Sequence, residues 1–230
     1  DLWQIFEPFQ AYGFNKAHAA SYGIVAYQTA YMKANYPVEF MAALLTAESG
    51  DSDKISAAVN ECRRMGVKVL PPDINESDIA FTIVPFKDSL EGRGIRFGLS
   101  AIKNVGNAAI EAILPIRSIG KFTSFADFLA RVDSRRVNKK VLESLIKVGA
   151  LSSFGSRAAL LFKADEVRVK VAKPHSLAGQ EGLFSSKEIE KSESTPKFEE
   201  ANTAVSEFSQ DELQTLERQL LGFSLSAKPV

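Results

Sequence analysis

The placement of proline and glycine constrains this chain more than any other feature. Ala, Tyr, Met and Leu dominate residues 19–47, and Pro37 interrupts them directly after Tyr36. A helix ends before such a proline, and the proline can open the next helix in its first turn. The pattern predicts one helix over 18–34 and another over 37–48. Gly50-Asp51-Ser52-Asp53 then forms a loop in which Ser52 or Asp53 can cap a helix over 53–65. Gly66 closes that helix in a left-handed conformation. Pro71-Pro72-Asp73-Ile74-Asn75 excludes helix and predicts an extended crossing. Phe81-Thr82-Ile83-Val84 and Gly94-Ile95-Arg96-Phe97 read as two short strands of a small hairpin. From Leu99 to Phe162 helices return, parted by Gly120, Ser134 and the stretch from Gly149 to Gly155. The fold class is therefore mainly α with one small β-hairpin.

After residue 172 the composition changes. Residues 174–209 are rich in Ser, Glu, Gly and Lys and read as a flexible linker. Leu213, Leu216 and Leu220 share a face of an amphipathic helix over 210–221, which Gly222 ends. Phe223-Ser224-Leu225 reads as a strand start. The end at Val230 without a closing element suggests a boundary inside a longer protein.

Bulk properties remove several function classes. A hydrophobic content of 45% is enough for a core. No apolar run approaches the ~18 residues of a membrane helix, and Asp1-Leu2-Trp3-Gln4 does not open like a signal peptide. Cys62 is the sole cysteine, which excludes an internal disulfide and fits a reducing cytoplasm. With His18 and His175 the only histidines, no metal site is expected. The zero net charge hides an asymmetry. Residues 1–180 hold 23 Lys and Arg against 18 Asp and Glu, whereas residues 181–230 hold 5 against 10. A basic body with an acidic tail suits a polyanion-binding unit joined to something else.

The segment from Leu99 to Ile110 carries the sharpest mechanical signal. A helix runs into a tight turn at Lys103-Asn104, Val105 plugs the core, and Gly106-Asn107 starts a second helix. This is the helix-hairpin-helix pattern, in which free N–H groups at the second helix attract a phosphate without reading bases. Asn104 stands where the first glycine is usual, and Asn tolerates positive φ. An ordinary turn with an apolar plug is the plainer alternative. A looser copy spans 137–146, with Lys139 and Lys140 at its helix start. Around it Arg131, Arg135, Arg136 and Lys147 make a basic stretch that is either an interface or a solvated face.

A second cluster lies at residues 12–22. Asn15 can cap a helix, while Lys16, His18 and Tyr22 offer a phosphate charge, a proton and a stacking ring among small residues. A packed helix start and a ligand site both fit these residue types. No Asp-x-Asp pair lies between strands; Asp51-Ser52-Asp53 reads as a cap.

Residues 13–22 and 26–45, with Glu61-Cys62-Arg63-Arg64-Met65-Gly66, Leu70-Pro71-Pro72-Asp73-Ile74-Asn75, 95–99 and 138–147, resemble the alpha subunits of bacterial DNA polymerase III. The resemblance runs over 1–170 and returns at 177–184 and 211–230. It implies a section of a DNA-directed DNA polymerase, a cytoplasmic nucleotidyltransferase. Residues 1–94 would be the end of the fingers, with the hairpin reaching about 97. Residues 95–172 would be the helix-hairpin-helix DNA-binding domain, 173–209 the linker, and 210–230 the approach to a following OB-type barrel.

Asn15, Lys16, His18 and Tyr22 would face the incoming nucleotide. Lys103, Asn104, Val105, Gly106, Asn107, Lys139 and Lys140 would hold primer–template duplex. Gln180, Leu183 and Phe184 resemble the family's peptide for the sliding clamp. Other replisome subunits are implied as partners, and a membrane is not.

The Mg2+-holding aspartates of the family precede Asp1 in its order, so no cofactor and no activity are expected of this stretch alone. Two departures stand out: Asn104, and Ser226-Ala227-Lys228-Pro229, which lacks the family's Gly-His pair. The rival reading is a non-enzymatic duplex-binding module of a repair or recombination protein, which leaves the block at 12–45 unexplained. A purely structural adaptor is a third reading, supported by the acidic linker alone.

Overall fold

A computed structural model describes residues 15–171 and 206–225 of the chain, with Gln4 alone before them, and side chains through 164 in the first stretch. Helix α1 spans Lys16–Asn35 and α2 spans Pro37–Ala47, broken where Pro37 requires. Helix α3 spans Ser52–Arg64. Its cap is Asp51, one residue earlier than expected, whose carboxylate accepts the N–H groups of Asp53 and Lys54 at 3.1 and 3.2 Å. Ser52 is already helical because Asp51 takes the extended conformation that a cap needs. Gly66 ends the helix at φ +77°.

Strand β1 is Val69–Leu70, β2 is Thr82–Pro85 and β3 is Arg93–Arg96. The expected hairpin is present, since β2 and β3 pair antiparallel with Ile83 opposite Ile95. An unexpected third strand joins it: β1 runs parallel to β3, with Val69 opposite Ile95. Two residues are too short for a periodic signal, so the partner strand defines β1. Between β1 and β2 the chain crosses at Pro71-Pro72 and then turns at 74–76 rather than staying extended. Asp73 drives that turn by accepting the Asn75 N–H at 2.7 Å.

Helices α4 (Asn107–Ile119), α5 (Phe125–Arg131), α6 (Lys139–Lys147) and α7 (Arg157–Val171) follow. Helix α8 is Gln210–Leu221, opened by a Ser209–Glu212 capping box and ended by Gly222 at φ +86°. Residues 223–225 form no strand. Phe223 and Ser224 are buried, and the backbone is tied to side chains instead of a sheet. Arg63 donates to the Ser224 carbonyl at 2.9 Å and Glu217 accepts the Leu225 N–H at 2.8 Å.

One apolar core runs from Val38 through Ala164 and takes in Leu221 and Phe223. Phe97 sits within it, edge-on to Phe81 at 4.6 Å. Cys62 is fully buried, and burial pushes its thiol up to about 12, which leaves it unreactive at neutral pH. Helix α1 buries no residue and exposes Tyr22, Tyr27 and Tyr31. The Lys33 ammonium fastens its last turn to Glu61 of α3 at 2.7 Å.

Candidate nucleic-acid interface

The hairpin begins differently from its sequence pattern. The element before the turn is a single 3-10 turn, Leu99–Ala101, and not an α-helix. The cause is a backbone pinned from outside. Leu99 and Ser100 donate their N–H groups to the carbonyls of Asp78 and Ile79 at 2.9 and 3.1 Å. Gly98 lies so close to Ala80 that a Cβ there would meet the Ala80 carbonyl carbon at 2.6 Å.

The turn itself follows the pattern. Asn104 adopts φ +72°, the left-handed conformation expected of it. Val105 is buried at 5% exposure and its N–H bonds the Ile102 carbonyl at 3.1 Å. Gly106 caps α4 in an extended conformation with no side-chain hydrogen bond. Residues 106–108 are exposed, and among the described residues nothing accepts their N–H groups. A Cβ at Gly106 would meet nothing within 4 Å, so neither its φ nor its neighbours in the chain demand glycine. Bare backbone there leaves room for a close ligand approach. Three outward N–H groups at the positive end of a 13-residue helix form an anion-binding geometry.

The second turn is wired to the first. Asn138 caps α6, its Oδ1 accepting the Val141 N–H at 3.1 Å, which sets Lys139 and Lys140 exposed in the first helical turn. The Asn104 side-chain amide donates to Ser144 Oγ at 3.1 Å, and Ser144 Oγ donates to the Lys140 carbonyl at 2.8 Å. The Asn104 side chain thereby ties the first turn to α6. Ser144, only 3% exposed, was missed from the sequence. Its signal was a hydroxyl on the apolar face formed by Val141, Leu142, Leu145 and Ile146.

The basic stretch is partly committed elsewhere. Arg131 bonds Asp127 at 3.1 Å and the carbonyls of Ile116 and Gly120, and stacks over Phe122 at 4.8 Å. Lys147 pairs with Glu143 at 3.3 Å, and Arg136 with Asp133 at 3.9 Å. Arg135 and Lys140 remain exposed.

The cluster at the start of α1 is only partly assembled. Asn15 caps the helix by accepting the Ala17 N–H at 3.1 Å. His18 and Tyr22, one turn apart, bring their rings together at 4.5 Å between centroids, tilted by 59°. Lys16, two residues from His18, leaves from another side of the helix. Residues 12–14 and the candidate clamp residues Gln180, Leu183 and Phe184 lie outside the described residues. Among the described residues no group of three or more His, Cys, Asp or Glu side chains could hold a metal ion. Asp51 is occupied as a helix cap. Among the same residues no helix is long and apolar enough to cross a membrane.

Residues 66–160 match the family model described as helix-hairpin-helix motif, and the turn at Asn104 and Gly106 lies within that match. The whole chain, moreover, is similar to a section of proteins named DNA polymerase III subunit alpha. It is 44% identical to the one from Thermus aquaticus over all of its length and 18% of the relative's. The corresponding figures are 42% and 19% for Mycobacterium tuberculosis, and 39% and 19% for Campylobacter jejuni. The chain thus spans about a fifth of the length of the curated relatives it matches. The resemblance read from the motifs holds along the entire sequence.

Proposed function

We propose that this chain is a section of a bacterial replicative DNA polymerase that grips the backbone of duplex DNA without reading its sequence. The fan of exposed, unpaired N–H groups at 106–108, set by left-handed Asn104, carries the reading. A phosphate there would meet backbone donors, a helix dipole and the ammonium groups of Lys103 and Lys140. Such contacts fix register along the duplex and leave the bases unread. The match of the whole chain to polymerase alpha subunits supports this over a repair or recombination module, because it includes residues 12–45, which such a module leaves unexplained.

The test is duplex affinity of the full-length protein against salt. Each lost phosphate contact flattens the plot of log K against log salt by about 0.9. Lys103→Gln with Lys140→Gln should lower the slope by nearly two units equally on unrelated sequences. An unchanged slope refutes the assignment.

Within the same reading, Asn15, Lys16, His18 and Tyr22 face the incoming nucleotide as part of the fingers. Lys16 supplies cationic charge to the triphosphate. Gln180, Leu183 and Phe184 anchor the chain to the sliding clamp, where tethering turns weak peptide affinity into processivity. The metal ions of the phosphoryl transfer belong to aspartates outside these 230 residues. This chain's own residues bind and orient. Lys16→Ala in the full-length enzyme should then raise the nucleotide KM or lower kcat while duplex affinity stays constant; unchanged kinetics refute that role.

A further inference from the structure

The last described helix reaches back to the hairpin. The Lys103 N–H, at the turn itself, donates to the Leu220 carbonyl of α8 at 3.0 Å. Gly222 presses on the start of α3, where a Cβ would stand 2.4 Å from Ser52 Cβ. Between these contacts lies a cleft of about 420 Å3. Its walls are Ser49, Gly50, Ser52 and Ile55, the stretch from Ser100 to Lys103, and the stretch from Arg218 to Gly222. Two cationic side chains stand on it, Lys103 and Arg218, 115 positions apart in sequence and both exposed.

Arg218 is unusual among the arginines here. Arg64, Arg93, Arg96, Arg131, Arg136 and Arg157 are each paired with a carboxylate. Arg63 and Arg117 donate to backbone carbonyls. Among the described residues only Arg135 and Arg218 have a guanidinium without a partner, and Arg135 lies within the stretch already read as basic. Local acidic charge does not cancel Arg218. Glu217 is buried and paired with Arg157, and Asp51 is engaged by its helix cap and by Lys54, which also pairs with Glu48. An exposed guanidinium across a cleft from a phosphate-facing turn is suited to a second phosphate by its fixed fork of donors.

We propose that Arg218 and Lys103 grip duplex phosphate across this cleft, extending the DNA track from the hairpin onto helix α8, outside the helix-hairpin-helix match. The proposal rests on the duplex-binding reading above. The hairpin holds one phosphate at its N–H fan, and the strand continues past Lys103 to Arg218. Helix α8 is then part of the grip, with the Lys103–Leu220 hydrogen bond setting the spacing of the two cations.

The experiment measures binding of a fluorescent duplex to the full-length protein by anisotropy at several salt concentrations. Arg218→Gln should flatten the salt slope by about 0.9, equivalent to a roughly three- to fourfold smaller affinity change between 50 and 200 mM salt. Arg218→Lys should keep the slope, since it keeps the charge. The double variant with Lys103→Gln should lose nearly two units. A wild-type slope in Arg218→Gln, with Lys103→Gln still flattening it, overturns this inference and leaves the hairpin reading intact. No slope change in either variant overturns both. Equal losses in Arg218→Gln and Arg218→Lys, with a lowered melting temperature, mean a structural role and also overturn it.

Discussion

Replacing Glu217 by Gln should unlatch helix α8. Glu217 is 2% exposed, and its carboxylate accepts from Arg157, Ser224 and Leu225. One oxygen accepts from Arg157 Nη2 at 3.0 Å. The other accepts from Ser224 Oγ at 3.1 Å and the Leu225 N–H at 2.8 Å. The Arg157 side chain is 13% exposed and also donates to the Lys147 carbonyl at 2.9 Å. Gln keeps the volume and can still accept from Ser224 and Leu225, so the loss is mainly one charge opposite a buried guanidinium. At this separation the attraction is about 4 kcal/mol at an effective dielectric near 20. The carboxylate's own desolvation penalty offsets part of it, leaving a net cost of about 2–3 kcal/mol. For a chain of this size that lowers the melting temperature by roughly 5–10 °C. Urea unfolding should show a lower midpoint with the slope unchanged. A double-mutant cycle with Arg157→Met isolates the pair, and a coupling near 2 kcal/mol is expected. The latch also carries the Leu220 carbonyl, so amide exchange at Lys103 should accelerate more than exchange in α4. A coupling energy within ~0.5 kcal/mol of zero refutes the reasoning.

Asn104→Gly should change stability by less than about 1 kcal/mol, because relief at φ +72° offsets the lost bond to Ser144. Asn104→Val should cost about 2–3 kcal/mol, since a β-branched residue resists that conformation; equal melts of the two variants would contradict this. Gly98→Ala should destabilise by about 1–3 kcal/mol through collision with Ala80 backbone, and a melt matching wild type would show that the close approach is not rigid. The Glu61 carboxyl is held down to about 2, first by Arg64 and then by Lys33. The tie between α1 and α3 is therefore complete above about pH 4.5 and is lost as pH falls toward 2. Lys33→Gln should raise the Glu61 midpoint while Arg64 keeps it below the usual glutamate value, and a carbon-detected carboxyl titration showing no shift would refute the tie.

What could be read from the sequence was what neighbouring residues decide. Pro37, Gly66 and Gly222 break helices by their own backbone limits, so the ends near them were legible. Asn104 was legible as a left-handed residue for the same reason, and Val105 as a plug. The 3-10 turn at Leu99–Ala101 was not legible, because its brevity comes from Asp78, Ile79 and Ala80, some 20 residues earlier. Strand β1 exists only through β3, 26 residues later. Residues 223–225 have a strand-like composition, but Arg63 and Glu217 take their backbone groups before a sheet partner can.

The candidate site divides along the same line. A sequence pattern identifies a turn that exposes N–H groups, but it cannot say which of them stay free. Lys103 lies within the pattern, yet its N–H is bonded to Leu220. The N–H groups of residues 106–108, just beyond the turn, are the ones left for a ligand. In the duplex-binding proposal Lys103 would act through its ammonium, while its backbone N–H is bonded to α8. The structural half of that residue depends on Glu217 and Arg157, neither of which would touch DNA. Weakening the latch should lower duplex affinity while the charges remain and the salt slope is kept. Removing Lys103 or Arg218 charge should flatten the slope with little change in stability. Those two signatures separate a residue that touches phosphate from one that positions the turn.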